Sequence, residues 1–443
     1  MRRVVVLLAG LASGPLAALA CADGFDDRTV APMPEEAAAD AAPVLGDEGV
    51  APFVDAEVPL GDVCGDREGL EPSAAWPLLG GCPTRSGVAP RPGPQEATVR
   101  WSTPVAAGET SPAVGASGVL WIGTSEGEAI SLSGYYGNVL AVLRLAEDGE
   151  PVRSSPALDA DGFAVFGGAD GLVRGVTPGA PGPADGGADA EADATADAAA
   201  DATALPPARA AWVVDVGGAI VTSPVIAGDG AIVLGTSDGR VVAVFRDGVI
   251  KWERPVEGSP TSAAIGAAGR VHVGTSRGRL VALAPDTGDI VWAYELGGAA
   301  GSPVVGGDGT VYIADASGRL HAVGPDGTRR WIYAAGGPIT GAPAVRGGVV
   351  YVGSADRRLH AVSTVDGRAR FTYETAGEVA TPLIASDGVV YVGSSDGRVY
   401  AITPSGLLLF AVNVRGPVRG APALGADGTL FVTTNGAVVA IGP

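Results

Sequence analysis

The sequence predicts an all-β protein, an eight-bladed β-propeller of four-stranded blades closed by a strand from near its N-terminus. Three observations predict it. A unit of about forty residues recurs along the chain. Each unit contains short runs of alternating β-branched or aromatic and small residues, and the final unit lacks one such run.

The recurrence is read from a Ser-Pro-like anchor at Pro112, Pro156, Pro224, Ala263, Pro303, Pro343, Pro382 and Pro422, spaced by 44, 68, 39, 40, 40, 39 and 40 residues. After each anchor come a small apolar run and a hairpin such as "GVVYVGSSDGRVYAITPSG" (Gly388 to Gly406). Its Asp-Gly pair predicts a type I′ turn, with positive φ at both central residues. A fourth run is centred on Trp212, Trp252, Trp292, Trp331, Phe371 or Phe410. The 68-residue interval contains an Ala/Asp/Gly insert, residues 179–207, too poor in large apolar residues to offset its ordering entropy. It predicts a disordered loop in the second blade.

The last unit ends at Pro443 with three runs, whereas "ATVRWSTPVAAG" (Ala97 to Gly108) supplies an unpaired aromatic run before the first anchor. That strand is expected to complete the final blade and remove two open sheet edges. Ala243, Ala282, Ala322, Ala361, Ala401 and Ala440 share one position, which predicts space for a Trp from the next layer. Gly123, Gly167, Gly235, Gly274, Gly353 and Gly393 predict a bulge or a close backbone approach.

Ahead of the propeller, expected over residues 73–443, two segments differ in composition. Residues 1–20 read as an export signal: Arg2 and Arg3, an apolar run, then Ala18-Leu19-Ala20 before Cys21. Cys21 is a lipidation candidate, giving a membrane anchor on the outer membrane facing the periplasm or the cell surface; cleavage after the Ala-x-Ala triplet is the alternative. Residues 21–72 form an acidic Ala/Pro-rich tether with 14 acidic residues against Arg28 and Arg67. Cys64 and Cys82 remain, and an oxidising compartment permits a disulfide between them, with a pair of free thiols as the alternative.

The net charge is −20, most of it in the tether and the insert. The ring itself carries no basic stripe, which argues against nucleic acid as a partner. Arg240, Arg279, Arg319, Arg358 and Arg398 follow the hairpin turns of five consecutive units and form a candidate rim for an anion or a partner's carboxylates. The alternative is that each arginine offsets a turn aspartate such as Asp238, Asp356 or Asp396. His321 and His360 stand where Val242, Val281 and Tyr400 stand in other units, so that position accepts any strand former. No catalytic residue, metal ligand or cofactor site is expected; the Asp-Gly stretches at Asp159, Asp229, Asp308 and Asp427 read as turns.

"LVALAPDTGDIVWAYELG" (Leu280 to Gly297) resembles the tryptophan-docking repeat of PQQ-like (quinoprotein-type) propellers. "AWPLLGGCPTRSGVAPRPGP" (Ala75 to Pro94) is similar to the lead-in of such propellers in bacterial exported proteins. The dehydrogenases of that superfamily use adjacent cysteines and a calcium site. This chain has three cysteines, none adjacent, and Asn only at positions 138, 413 and 435. The resemblance therefore implies the non-catalytic, BamB-like branch: a monomeric, non-enzymatic envelope scaffold that binds a protein or complex, possible service in outer-membrane protein assembly included. A PQQ-dependent dehydrogenase relative and a carbohydrate or surface-adhesion module are the alternatives.

Overall fold

In the computed structural model, the described residues are 64, 66–107, 110–145, 149–177, 209–339 and 341–442. The export signal, Cys21, most of the tether and the Ala/Asp insert lie outside them. The described chain forms eight four-stranded antiparallel sheets. In blade 3 the strands run outward as Val225–Ile226, Ile232–Gly235, Arg240–Val244 and Ile250–Pro255. Seven sheets follow this consecutive order, while the eighth is built from both ends of the ring: Val99–Pro104 pairs outside Ala437–Ile441. The innermost strands of blades 8 and 1 touch, so the ring is closed.

Its seam repeats the chemistry of the other blade junctions. Trp101 lies opposite Ala440 within its own sheet and donates its indole N–H to Gly134 O of blade 1 at 3.0 Å. Trp252, Trp292 and Trp331 make the same bond to Pro285, Pro325 and Thr364 of the following blade at 2.8–2.9 Å. Each ring lies over a turn glycine; a Cβ on Gly137 would come within 2.5 Å of Trp101. The repeated alanines are the cross-strand partners of these aromatics, Ala243 facing Trp252 and Ala361 facing Phe371. They make room for the Trp of their own sheet rather than for one from the next layer. Blade 2 uses Gly175 opposite Trp212. The glycines ending the second strands are close approaches: a Cβ on Gly167 would meet Ile220, and one on Gly393 would meet Val418, in the chain entering the next blade.

A second set of contacts ties the blades nearer the axis. The residue before each anchor proline carries a hydroxyl in most blades, and the N–H of one blade donates to the hydroxyl of the next. Ala421 donates to Ser111, Ser111 to Ser155, Ser155 to Ser223 and Ser223 to Ser262, each at 2.8–2.9 Å; Ala342 donates to Thr381 at 3.1 Å. The first of these crosses the seam. Proline then fixes φ as the chain enters the inner strand.

The hairpin turns differ from the expected type I′. In Thr236–Arg240 only Gly239 has positive φ, at 85°, and Gly239 N–H donates to Thr236 O at 3.0 Å. This is a type I turn followed by a left-handed glycine. The right-handed aspartate can then accept a backbone N–H two residues on, as Asp396 does from Arg398 at 2.9 Å. In blade 6 an exposed arginine, Arg357, occupies the left-handed position at φ 68°.

Two outcomes test this account. Trp101→Ala removes both an aromatic in the seam and its hydrogen bond, and is expected to lower unfolding free energy by about 3 kcal/mol in urea titration. A loss below about 0.5 kcal/mol, the scale of a neutral surface change, would contradict closure through this strand. Arg357→Gly relieves the left-handed strain and is expected to stabilise by about 1 kcal/mol; a destabilised variant would refute the turn assignment.

Candidate functional site

The inner strands are sheet edges, and their inward N–H groups need acceptors. Residues 66–95 supply them. Backbone carbonyls of Trp76, Pro77, Pro83, Thr84, Ser86 and Gly87 accept from Val114, Leu158, Ile265, Val305, Val345 and Ile384, at 2.7–2.9 Å. Those six donors are the second residues of the inner strands of blades 1, 2, 4, 5, 6 and 7. The segment therefore plugs the ring axis. Its composition suits the task, because six of its 30 residues are proline, which has a carbonyl but no N–H. Gly80, Gly81 and Gly87, all with φ between 72° and 80°, let it turn inside the ring. Trp76 and Ala89 join the core between blades 1, 7 and 8, and Leu70 and Leu78 that of blades 2 to 4. Leu70 bridges to Asp159 of blade 2. The boundary expected at residue 72 thus falls inside the plug, because Leu70 has an apolar site to fill.

Arg85 is the deepest charge in the plug, 2% exposed. Its guanidinium donates to Ala263 O, to Ser223 O at 3.0 Å and to Pro224 and Leu79 O at 3.4 Å. Burial pulls its pKa down to about 9, with a nearby Cys82 opposing, so it stays protonated at neutral pH. Cys82 lies 3.3 Å from Ser86 Oγ and 3.4 Å from Thr84 Oγ1. Cys64, also buried, hydrogen-bonds to Cys82. The expected partners are thus side by side, as thiols. Nothing in the repeat pattern exposes the plug, since it occurs once; its signals are the prolines, the paired glycines and the lead-in resemblance of Ala75 to Pro94, none of which says that it fills the axis.

The arginine rim sits at the first residue of the third strand in blades 3 to 7. Arg240 pairs with Asp238 at 2.7 Å and Glu253 at 2.9 Å, Arg279 with Glu257 and Glu295 at 3.0 and 2.9 Å, and Arg358 with Glu374 at 3.1 Å. Most of these carboxylates come from the adjacent outer strand rather than the turn. Of the turn aspartates, Asp238 pairs with its arginine, whereas Asp356 and Asp396 accept the backbone N–H of Arg358 and Arg398. In blades 3, 4 and 6 the rim arginine is held by glutamate, whereas Arg319 and Arg398 lie opposite Ala334 and Asn413.

Beneath it run chains between blades that were not legible as sites. Tyr294 of blade 4 bonds His321 Nδ1 of blade 5 at 3.2 Å, and His321 Nε2 bonds Asp315 at 3.1 Å. Tyr333, His360 and Asp356 repeat this one blade on, at 2.9 and 3.0 Å. Burial lowers both histidine pKa values against the opposing aspartates. His272 differs. It takes an aromatic position in the second strand, tilted against Trp292 with centroids 5.5 Å apart, and its Nδ1 is a buried atom without a partner. Tyr312, Tyr351 and Tyr391 hold that position in blades 5 to 7.

The fold and its plug define the class: a closed eight-bladed propeller whose axis is filled by its own chain. A family model described as "Outer membrane protein assembly factor BamB" matches residues 187–303 and 276–404. Three solved structures share the fold. BamB from Moraxella catarrhalis gives a TM-score of 0.59 at 18% identity, covering 79% of this chain and 98% of that one. The computationally designed Ika8 protein gives 0.60 at 14%, covering 79% and 100%. Quinohemoprotein alcohol dehydrogenase from Comamonas testosteroni gives 0.64 at 15%, covering 83% and 81%. No curated protein matches by sequence. Over residues 187–404 the chain matches the PQQ-like propeller family.

Burial, with Arg270 adding to it, pulls the pKa of His272 down to about 3. The folded pKa is depressed, so the unfolded chain takes up this proton first. The contribution is full above pH 6.5 and is lost progressively as pH falls toward 3. At pH 5 that amounts to about 2 kcal/mol. His272→Phe is expected to flatten stability between pH 6.5 and 5, measured by urea unfolding at each pH. An unchanged slope would contradict the burial of a neutral imidazole.

Proposed function

We propose that this protein is an exported, lipid-anchored, non-enzymatic scaffold that binds a protein or complex of the bacterial cell envelope, as its likeness to BamB suggests. One observation carries the reading: the axis, where eight blades converge, is filled by residues 66–95. Binding surface is left on the two faces and the outer edges. The rim suits a protein better than a small anion, because Arg240, Arg279 and Arg358 already hold carboxylates. A partner with its own alternating charges exchanges those pairs without stranding a charge. Cys21 would tie the ring to the outer membrane through residues 22–65, which are long enough to hold it clear of the surface. A second reading, a carbohydrate or surface-adhesion module, is favoured by Tyr135 and Tyr136 alone, an exposed T-shaped aromatic pair in blade 1.

Photo-crosslinking residues placed at Arg319 and Arg398 in cells are expected to capture one envelope protein, and Cys21→Ser to move the protein from the membrane to the soluble fraction. Quinone-dependent dye reduction by the purified protein with added quinone and calcium would overturn the non-enzymatic reading. Specific binding on a glycan array, lost in Tyr135→Ala, would favour adhesion.

A further inference from the structure

The plug contains a pair of thiols that no step so far has used. Cys82 is fully buried and sits between Ser86 Oγ and Thr84 Oγ1, two hydroxyls able to donate to sulfur. Cys64 is hydrogen-bonded to it and is 4% exposed, against 0% for Cys82. The chain between them carries Leu70, Trp76 and Leu78, the apolar residues that seat the first half of the plug. We propose that Cys64 and Cys82 form a redox latch, a modification site at which a disulfide pins the start of the plug to the ring axis and fixes where the upstream chain leaves the propeller. This rests on the exported reading for its oxidant, a disulfide carried by a thiol–disulfide oxidoreductase.

The chemistry follows from the two surroundings. Cys82 is pulled down: burial opposes ionisation, and hydrogen bonds from Cys64, Ser86 and Thr84 outweigh it. Cys64 is pushed up, chiefly because its proton is held in the bond to Cys82. The hydrogen bond from Cys64 thus favours the thiolate form of Cys82. Cys64, the less enclosed sulfur, attacks the oxidant's disulfide as its proton passes to Cys82. That forms a mixed disulfide and expels one oxidant thiolate. Cys82 then loses the proton to solvent, and its thiolate attacks Cys64 Sγ. The second oxidant thiolate leaves. Two electrons pass to the oxidant, which becomes a dithiol, and the protein keeps one S–S bond. Attack by the thiolate form is what such exchange requires.

The test uses the full-length protein, isolated from cells and, separately, reduced and then treated with oxidised glutathione. Each sample is alkylated after unfolding, mapped by peptide mass, and melted with and without reductant. The latch predicts a Cys64–Cys82 peptide, two fewer alkylations than in the reduced protein, and a Tm that falls by a few degrees on reduction. Cys64→Ser should melt alike with and without reductant; should it fail to fold, a reductant titration of the unaltered protein gives the same comparison. A bond formed with glutathione but absent from cells would sink the exported reading and leave the latch standing. Free thiols after both treatments, a bond to Cys21 instead, or a formed bond that leaves Tm unmoved would each overturn the latch.

Discussion

Eight sheets cannot converge on one axis without turning eight edges inward, and every other feature of this molecule depends on how those edges are satisfied. The inner strands are two or three residues long, so few hydrogen bonds hold each within its own sheet. Without the plug, the inward N–H groups would lose their carbonyl acceptors. A buried donor left unpaired costs on the order of 1–3 kcal/mol, and six blades share the problem. The plug answers with a row of carbonyls from a proline-rich stretch that brings few donors of its own. Sequence composition, backbone hydrogen bonding and ring geometry agree at this point.

Moving outward, each layer links neighbouring blades by a different bond. Hydroxyls before the anchor prolines accept from the preceding blade, and docked tryptophans reach the following one. Both kinds cross the seam between blades 8 and 1, through Ser111 and Trp101. The seam is therefore chemically like any other junction, although its strands come from residues more than 300 positions apart. Because residues 66–104 provide both the plug and the closing strand, one stretch near the N-terminus seals the ring at its centre and at its rim.

The repeat made the blades legible, because period, turn residues and aromatic positions are written eight times, and the missing strand of the last unit made closure legible. The hydroxyl belt was half legible: the Ser-Pro anchors stand out, but their partners lie about one unit away, at a distance only the ring defines. Turn type was misread, since Asp-Gly suits either a type I′ turn or a type I turn with a left-handed glycine, and the aspartate's bond to a following N–H decides it. His321 and His360 looked interchangeable with valine because their partners, Tyr294 and Tyr333, belong to the previous blade. The plug was least legible of all. A segment that occurs once has no period, and its bonds run from backbone atoms that every residue owns.

A filled axis also shapes what such a protein can do, since it leaves the faces and outer edges as the surfaces available for contact. The most direct measurement of the central claim is amide hydrogen exchange at Val114, Leu158, Ile265, Val305, Val345 and Ile384, the inner-strand donors to the plug. The account predicts that they exchange as slowly as the central strands of the blades, opening only with global unfolding. Exchange at the rate of an exposed sheet edge would contradict it.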